Sequence, residues 1–250
     1  MTNKPYEVFA ETKDFLMVVK KAGVPSCIGT TPNSCYELVV ADFPEVAQVL
    51  GKKKEDGGLL HRLDTETEGL LVFAKNQEFY DSMMQEQVSN NFIKTYTAYC
   101  SIEKSPIQKK SINLLPRVFE SYFRPFGEKG ATVKPIFNLE TETKANKKKC
   151  GKKLYTTKIV SIESFLENKS TKLLKIKCQI TQGFRHQVRS HLGSQNLPVF
   201  GDKLYNPFHP EAETMLFFAS GLSFLNENYT ISEDSLDEIA KRTFLASATK

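Results

Sequence analysis

Residues 61–76 read HRLDTETEGLLVFAKN, and the rest of the chain is best read outward from them. Gly69 to Lys75, GLLVFAK, is an unbroken apolar run of strand length, while the residues before it are polar and ionisable. A loop carrying His61, Arg62, Asp64 and Glu66 is thus delivered straight onto a buried strand. Rigid support beneath a polar loop is a common way of holding functional groups in place. Upstream, GKKKEDGG at 51–58 has the glycines and charges of an exposed connection. Downstream, NQEFYDSMMQEQVSNN at 76–91 sets Phe79, Met83 and Met84 at helical spacing. The local order is loop, strand, helix.

Further out, YEVFAE and DFLMVV read as strands separated by a short polar break, and PEVAQVL as a short helix. FIKTYTAYCSI, LYTTKIVSI and KLLKIKCQI are strands by the same pattern, LFFASGLSF is a late strand and SLDEIAKRTFLA a closing helix. The middle, from about Lys104 to Lys153, is irregular, and its lysine-rich stretch ETETKANKKKCGKK is expected to be a mobile loop. QGFRHQVRSHLGSQN places Phe184, Val188 and Leu192 on one side and Arg185 with Arg189 on a neighbouring polar stripe, the pattern of an amphipathic helix. Gly193 and Pro198 are the expected stop signals. Strands outnumber helices without strict alternation, which predicts an α+β fold with a mostly antiparallel mixed central sheet, flanked by helices and loops.

With 250 residues and 40% hydrophobic composition, the chain can bury a real core. No apolar run approaches the roughly 18 residues that span a bilayer, and MTNKPYEVF lacks the regions of a signal peptide, so a cytoplasmic address and no membrane association are expected. Cys27, Cys35, Cys100, Cys150 and Cys178 are scattered without a C-x-x-C pair, which predicts reduced thiols, with neither a disulfide framework nor a zinc site. A net charge of +5 suits a polyanionic partner without requiring one. His61, His186, His191 and His209 have no acidic cluster or repeated ligand spacing, so no metal is expected.

Asp64 stands between Arg62 and Glu66 in a setting that fits a reactive carboxylate. The same residues also fit a turn cap, with Arg62 as a surface ion-pair partner. Arg189 offers the counter-charge that a carboxylate needs when it is drawn out of water.

Four segments in order, FLMVVKKAGVPS, HRLDTETEGLLVFAKN, KTYTAY and QGFRHQVRSHLGSQNLPVFGDKLY, resemble the motifs of RluA-type RNA pseudouridine synthases. The resemblance implies one synthase catalytic domain over 1–250, with room for two subdomains around a central cleft and none for a separate S4-like RNA-binding domain. It implies that Asp64 is the catalytic residue, that Arg189 pairs with it and that Tyr96 packs against the uracil. Arg62 would help open the RNA, and His61, Arg185, His186 and Lys94 complete the expected substrate-binding set. His61 and His186 are expected to order the site through hydrogen bonds. Structured RNA, ribosomal RNA or tRNA, is the implied partner of a monomeric enzyme.

The isomerisation involves no net redox change and no external group, so no cofactor is expected, and no nicotinamide, flavin or phosphate-binding fingerprint is seen. Three departures stand out. Lys20-Lys21-Ala22-Gly23 replaces the usual Lys-Pro-Ala-Gly, Glu68 stands where Ser is common, and Gly183-Phe184-Arg185-His186 displaces an arginine by one position. Competing functions are a non-catalytic RNA-binding protein retaining the fold, and a metal- or carboxylate-dependent hydrolase using Glu66 or Glu68.

Overall fold

The computed structural model describes residues 4–29, 32–103, 117–167, 171–206 and 214–247. The chain forms two compact units, Met1–Lys94 with Phe218–Ser232, and Thr95–Phe217 with Glu233–Lys250. Strands and helices are numbered along the chain.

In the first unit, β1 (Tyr6–Glu11), β2 (Phe15–Lys20), β3 (Glu68–Ala74) and β9 (Phe217–Phe224) lie side by side in that order, and β10 (Glu227–Thr230) pairs with β9. The β3–β9 pairing is parallel and the others are antiparallel. β2 and β3 are apolar along almost their whole length because both faces are covered. The parallel pairing also explains Gly69, which has φ +139° and whose missing Cβ would fall 2.3 Å from the Ala219 carbonyl oxygen.

Helix α2 (Gln77–Val88) starts at Asn76, whose side chain accepts from the Phe79 N–H, and buries Phe79, Tyr80 and Met83. Phe79 stacks on Phe15 at 5.2 Å, within a core that also holds Met17, Leu70, Val72, Phe92 and Phe224. An eight-residue helix unforeseen in the sequence, α1 (Cys35–Asp42), is opened by a reciprocal cap between Ser34 and Glu37.

In the second unit the strand order is β4 (Ile93–Glu103), β8 (Thr171–Ile180), β7 (Tyr155–Glu167), β5 (Val118–Phe126), β6 (Thr132–Ile136). Helix α4 (Gln187–Ser194) and the closing helix α5 (Glu233–Ser247) belong to the same unit. The α+β class with a mixed, mostly antiparallel sheet is what the chain adopts.

Three local expectations need correction. The irregular middle is not a loop throughout: residues 104–116 lie outside the described residues, but 118–136 form the β5–β6 hairpin. The lysine stretch contains a short helix, α3 (Lys144–Lys149), capped by Thr143. The second correction concerns α4, which carries no exposed polar stripe, because Gln187 through Leu192 are all buried. Its polar side chains find partners inside: the Gln187 amide donates to the Thr156 carbonyl, and the His191 ring bonds Ser121 and Thr157. Third, Gly193 lies inside α4, which ends at Ser194, and it is Asn196, two residues on, that takes the left-handed conformation, φ 58°, before Pro198.

All five cysteines are free thiols. Among the described residues no helix is long and apolar enough to cross a membrane.

Candidate active site

Asp64 sits on a turn closed by its own carbonyl, which accepts from the Thr67 N–H at 3.0 Å. The turn is clamped from two directions. Ser26 Oγ donates to the Leu63 carbonyl at 2.8 Å and accepts from the Leu63 N–H at 2.9 Å. Lys20, fully buried, spends its three ammonium protons on the carbonyls of Lys21, Val24 and Thr65, at 2.9, 2.7 and 3.1 Å. Burial lowers the Lys20 pKa to about 8, opposed by nearby acidic groups that include Glu68, Glu66 and Asp64. An ammonium in that position holds the Thr65 carbonyl in place and adds positive charge behind the Asp64 turn. Asp64 itself is half-buried, and Arg62 is exposed with Nη1 3.6 Å from Cys27 Sγ.

Not every expected residue does what the sequence suggests. Both ring nitrogens of His61 are buried without a hydrogen-bond partner among the described residues, and the ring packs edge-on against Phe92 at 5.4 Å. Burial, and then the charge of Lys94, push its pKa down to about 3, so the ring is neutral. His61 therefore fills space beneath the loop and does not order it by hydrogen bonding there. Lys94 is buried with Nζ 4.4 Å from the Phe92 ring centre, and burial lowers its pKa to about 8.

In the second unit, Tyr96 is buried and stacked flat on Phe217, 5.2 Å between ring centres at an interplanar angle of 4°. One ring face is therefore committed to Phe217, and the stack fixes the ring plane. Arg189 projects from α4 into a two-point ion pair with Asp202: Nε to Oδ2 and Nη2 to Oδ1, both at 2.7 Å. Asp202 Oδ1 also accepts from the backbone N–H groups of Leu204 and Tyr205, which ties the arginine to the turn after β-bridge residue Val199.

His186 enters α4 in the left-handed region, φ 55°, with Nδ1 3.1 Å from Tyr205 Oη, so it does order its surroundings by hydrogen bonding. Arg185 is exposed, and its Nη2 donates to the carbonyls of Gly130 and Thr132. Phe184 precedes α4 and stacks on Phe123 at 4.9 Å. Asp202 and Tyr205 were not singled out from the sequence, although both lie in the last quoted motif, FGDKLY. His209 lies outside the described residues. Asp64 and Lys94 belong to the first unit, Tyr96 and Arg189 to the second.

Comparison with known proteins adds an independent line. A family model described as RNA pseudouridylate synthase matches residues 3–194. Ribosomal large subunit pseudouridine synthase D of Neisseria meningitidis is 26% identical over 212 residues, which covers 84% of this chain and 48% of that protein. An uncharacterized RNA pseudouridine synthase of Mycoplasma genitalium is 31% identical over 206 residues, 81% of this chain and 56% of that one. The structure of human RNA pseudouridylate synthase domain containing 1 has the same fold, with a TM-score of 0.60 at 17% identity, covering 96% of this chain and 95% of that one. The chain spans about half the length of the first of these curated relatives. The matched region takes in both the Asp64 turn and helix α4, and the chain belongs to the RNA pseudouridylate synthase family, in its RluA-type branch.

Proposed function

We propose that this chain isomerises uridine to pseudouridine in structured RNA, with Asp64 as the catalytic carboxylate. The observation that supports this most is the mounting of Asp64, on a turn gripped by Ser26 on one side and by the buried Lys20 on the other. A carboxylate held in that way is presented to a substrate at low reorganisation cost.

The reaction breaks the bond between uracil N1 and the sugar, turns the base and joins its C5 to the same sugar carbon. The hydrogen on C5 is lost and N1 gains one, so atoms balance without a cofactor. Asp64 serves as nucleophile on the sugar or on the base; both routes use the ionised form. Arg189, oriented by Asp202, supplies the counter-charge for Asp64. Tyr96, its plane set by Phe217, packs against the uracil. A stacked base cannot reach the carboxylate, so the nucleotide is flipped out at a cost of a few kcal/mol, and Arg62 takes the vacated space.

Ribosomal RNA is the first candidate substrate and tRNA the second, since one relative is named for the large ribosomal subunit. The enzyme is read as a cytoplasmic monomer. A non-catalytic RNA binder is suggested by the altered Gly183-Phe184-Arg185 segment. That segment has a local use instead, because Phe184 packs on Phe123 and Arg185 holds backbone carbonyls of the β5–β6 turn.

The test is to map pseudouridine in RNA from cells with and without the gene, and to assay purified protein on the RNAs that differ without added cofactor. An unchanged map with no activity in vitro favours the binder.

A further inference from the structure

The β5–β6 hairpin carries a surface that its own stability does not explain. Its register sets Arg124 directly opposite Lys134, and Phe126 opposite Thr132. Phe123 and Val133 turn inward and are buried, which leaves Arg124, Phe126 and Lys134 on the other face. Phe126 is 51% exposed, with the Arg124 guanidinium carbon 5.2 Å and Lys134 Nζ 5.9 Å from its ring centre.

Like charges facing each other across a ladder destabilise it. Among the described residues neither cation forms an ion pair. Arg124 Nε is also buried without a hydrogen-bond partner. The carboxylates on the hairpin are Glu120, hydrogen-bonded to Thr156, and Glu128 in the turn.

The surroundings add positive charge and rigidity. The Gly151 N–H donates to the Phe123 carbonyl at 2.9 Å, which brings the segment after the lysine helix α3 alongside β5. Lys153 Nζ lies 5.5 Å from the Tyr155 ring centre. Arg185 holds the carbonyls of Gly130 and Thr132, and Tyr205 Oη accepts from the Val133 N–H at 2.8 Å, so the hairpin is tied to the segments flanking α4.

We infer that the outer face of this hairpin docks RNA, seating a backbone phosphate between Arg124 and Lys134 and stacking the adjoining unpaired base on Phe126. The inference rests on the reading that the chain acts on RNA. A phosphate supplies the negative charge that the two cations lack, and a charge-assisted contact to each relieves their repulsion. An exposed ring flanked by cations is a stacking platform that tolerates any base, and only an unpaired base can reach it.

The experiment titrates the full chain, Phe126→Ala, Phe126→Tyr and the double variant Arg124→Gln with Lys134→Gln. The probes are a labelled short oligouridylate and a blunt RNA duplex, each at about 50 and 200 mM salt. Phe126→Ala is expected to weaken oligouridylate binding about tenfold with little change for the duplex, and Phe126→Tyr to restore it. The double variant should flatten the salt dependence by about 0.7, the share of one single-strand phosphate, with no loss of melting temperature.

Oligouridylate affinity unmoved by both changes overturns the inference, as does equal loss on single strand and duplex for Phe126→Ala, or wild-type protein that binds no oligouridylate. Pseudouridine formation is scored separately. Binding losses as expected with no wild-type turnover remove the catalytic reading and keep the docking surface. Turnover with binding unmoved removes the docking surface and keeps catalysis.

Discussion

Arg189 and Asp202 meet side-on through two 2.7 Å hydrogen bonds, with the arginine side chain 4% and the aspartate 0% exposed. Removing one member of such a pair leaves an uncompensated buried charge, at about 3–5 kcal/mol, whereas replacing both by apolar residues is often near neutral. Asp202→Asn should therefore lower the unfolding free energy in urea by about that amount. Arg189→Met with Asp202→Leu removes both charges but leaves the Leu204 and Tyr205 N–H groups without their acceptor, so it should lose less stability than Asp202→Asn and still make no pseudouridine. Turnover in the folded double variant would show that Arg189 is only a structural residue.

Asp64→Asn keeps the shape of the side chain and removes its charge. Turnover is expected to vanish in single-turnover assays read by mass spectrometry, with the protein folded. RNA affinity should stay within about tenfold, or about 1.4 kcal/mol. Near-normal conversion by this variant would remove the central assignment.

Stability should fall on mild acidification, because buried histidines are held neutral. Burial pushes the His191 pKa down to about 4, between Ser121 and Thr157 and against Phe119, Phe123 and Phe137. An unfolded histidine titrates near 6.5, so between about 6.5 and 4 the unfolded chain binds a proton that the folded one refuses. The contribution is fully present above that range and is lost as pH falls through it, at up to about 1.4 kcal/mol per pH unit. His61, pushed down to about 3, acts in the same direction. Urea unfolding between about pH 7 and pH 5 measures the slope, and His191→Gln should make it shallower. An unchanged slope would mean that His191 takes up its proton equally readily in the folded and the unfolded chain.

Lys148 and Lys149 stand exposed in the last turn of α3, a helix that buries none of its residues. Changing both to Gln should weaken RNA binding and reduce its salt slope by about 0.7–0.9 for each phosphate they no longer neutralise. Turnover on saturating RNA should be spared. A fall in saturated turnover would place these lysines nearer the chemistry than proposed.

Much of the fold is visible in the sequence wherever burial is two-sided or one helical face is apolar: β2, β3 and α2 announce themselves through Phe15 to Val19, Leu70 to Ala74 and the Phe79–Met83 spacing. Helix α1 escapes notice although Ser34 and Glu37 form a capping pair, because eight residues offer little periodicity. The lysine helix α3 has no apolar face at all and relies on Thr143 at its start. For the candidate site, Asp64 and Arg189 are proposed from their motifs. The burial of Arg189 cannot be read there, since a helical polar stripe looks the same whether it meets water or finds Asp202, Thr156 and Thr157 inside. Asp202 has no local mark, as its role depends on a partner thirteen residues earlier in the chain.

The grip of Lys20 on the Thr65 carbonyl spans 45 residues. A synthetic peptide cut from 58–76 would therefore contain every letter of the HRLD segment and none of its conformation, and grafting that segment into another scaffold would carry over the carboxylate without its presentation. Transplantation would have to include a buried ammonium in the place of Lys20 and a hydroxyl in the place of Ser26. The smallest portable piece of this centre is a pair of distant segments, not a loop.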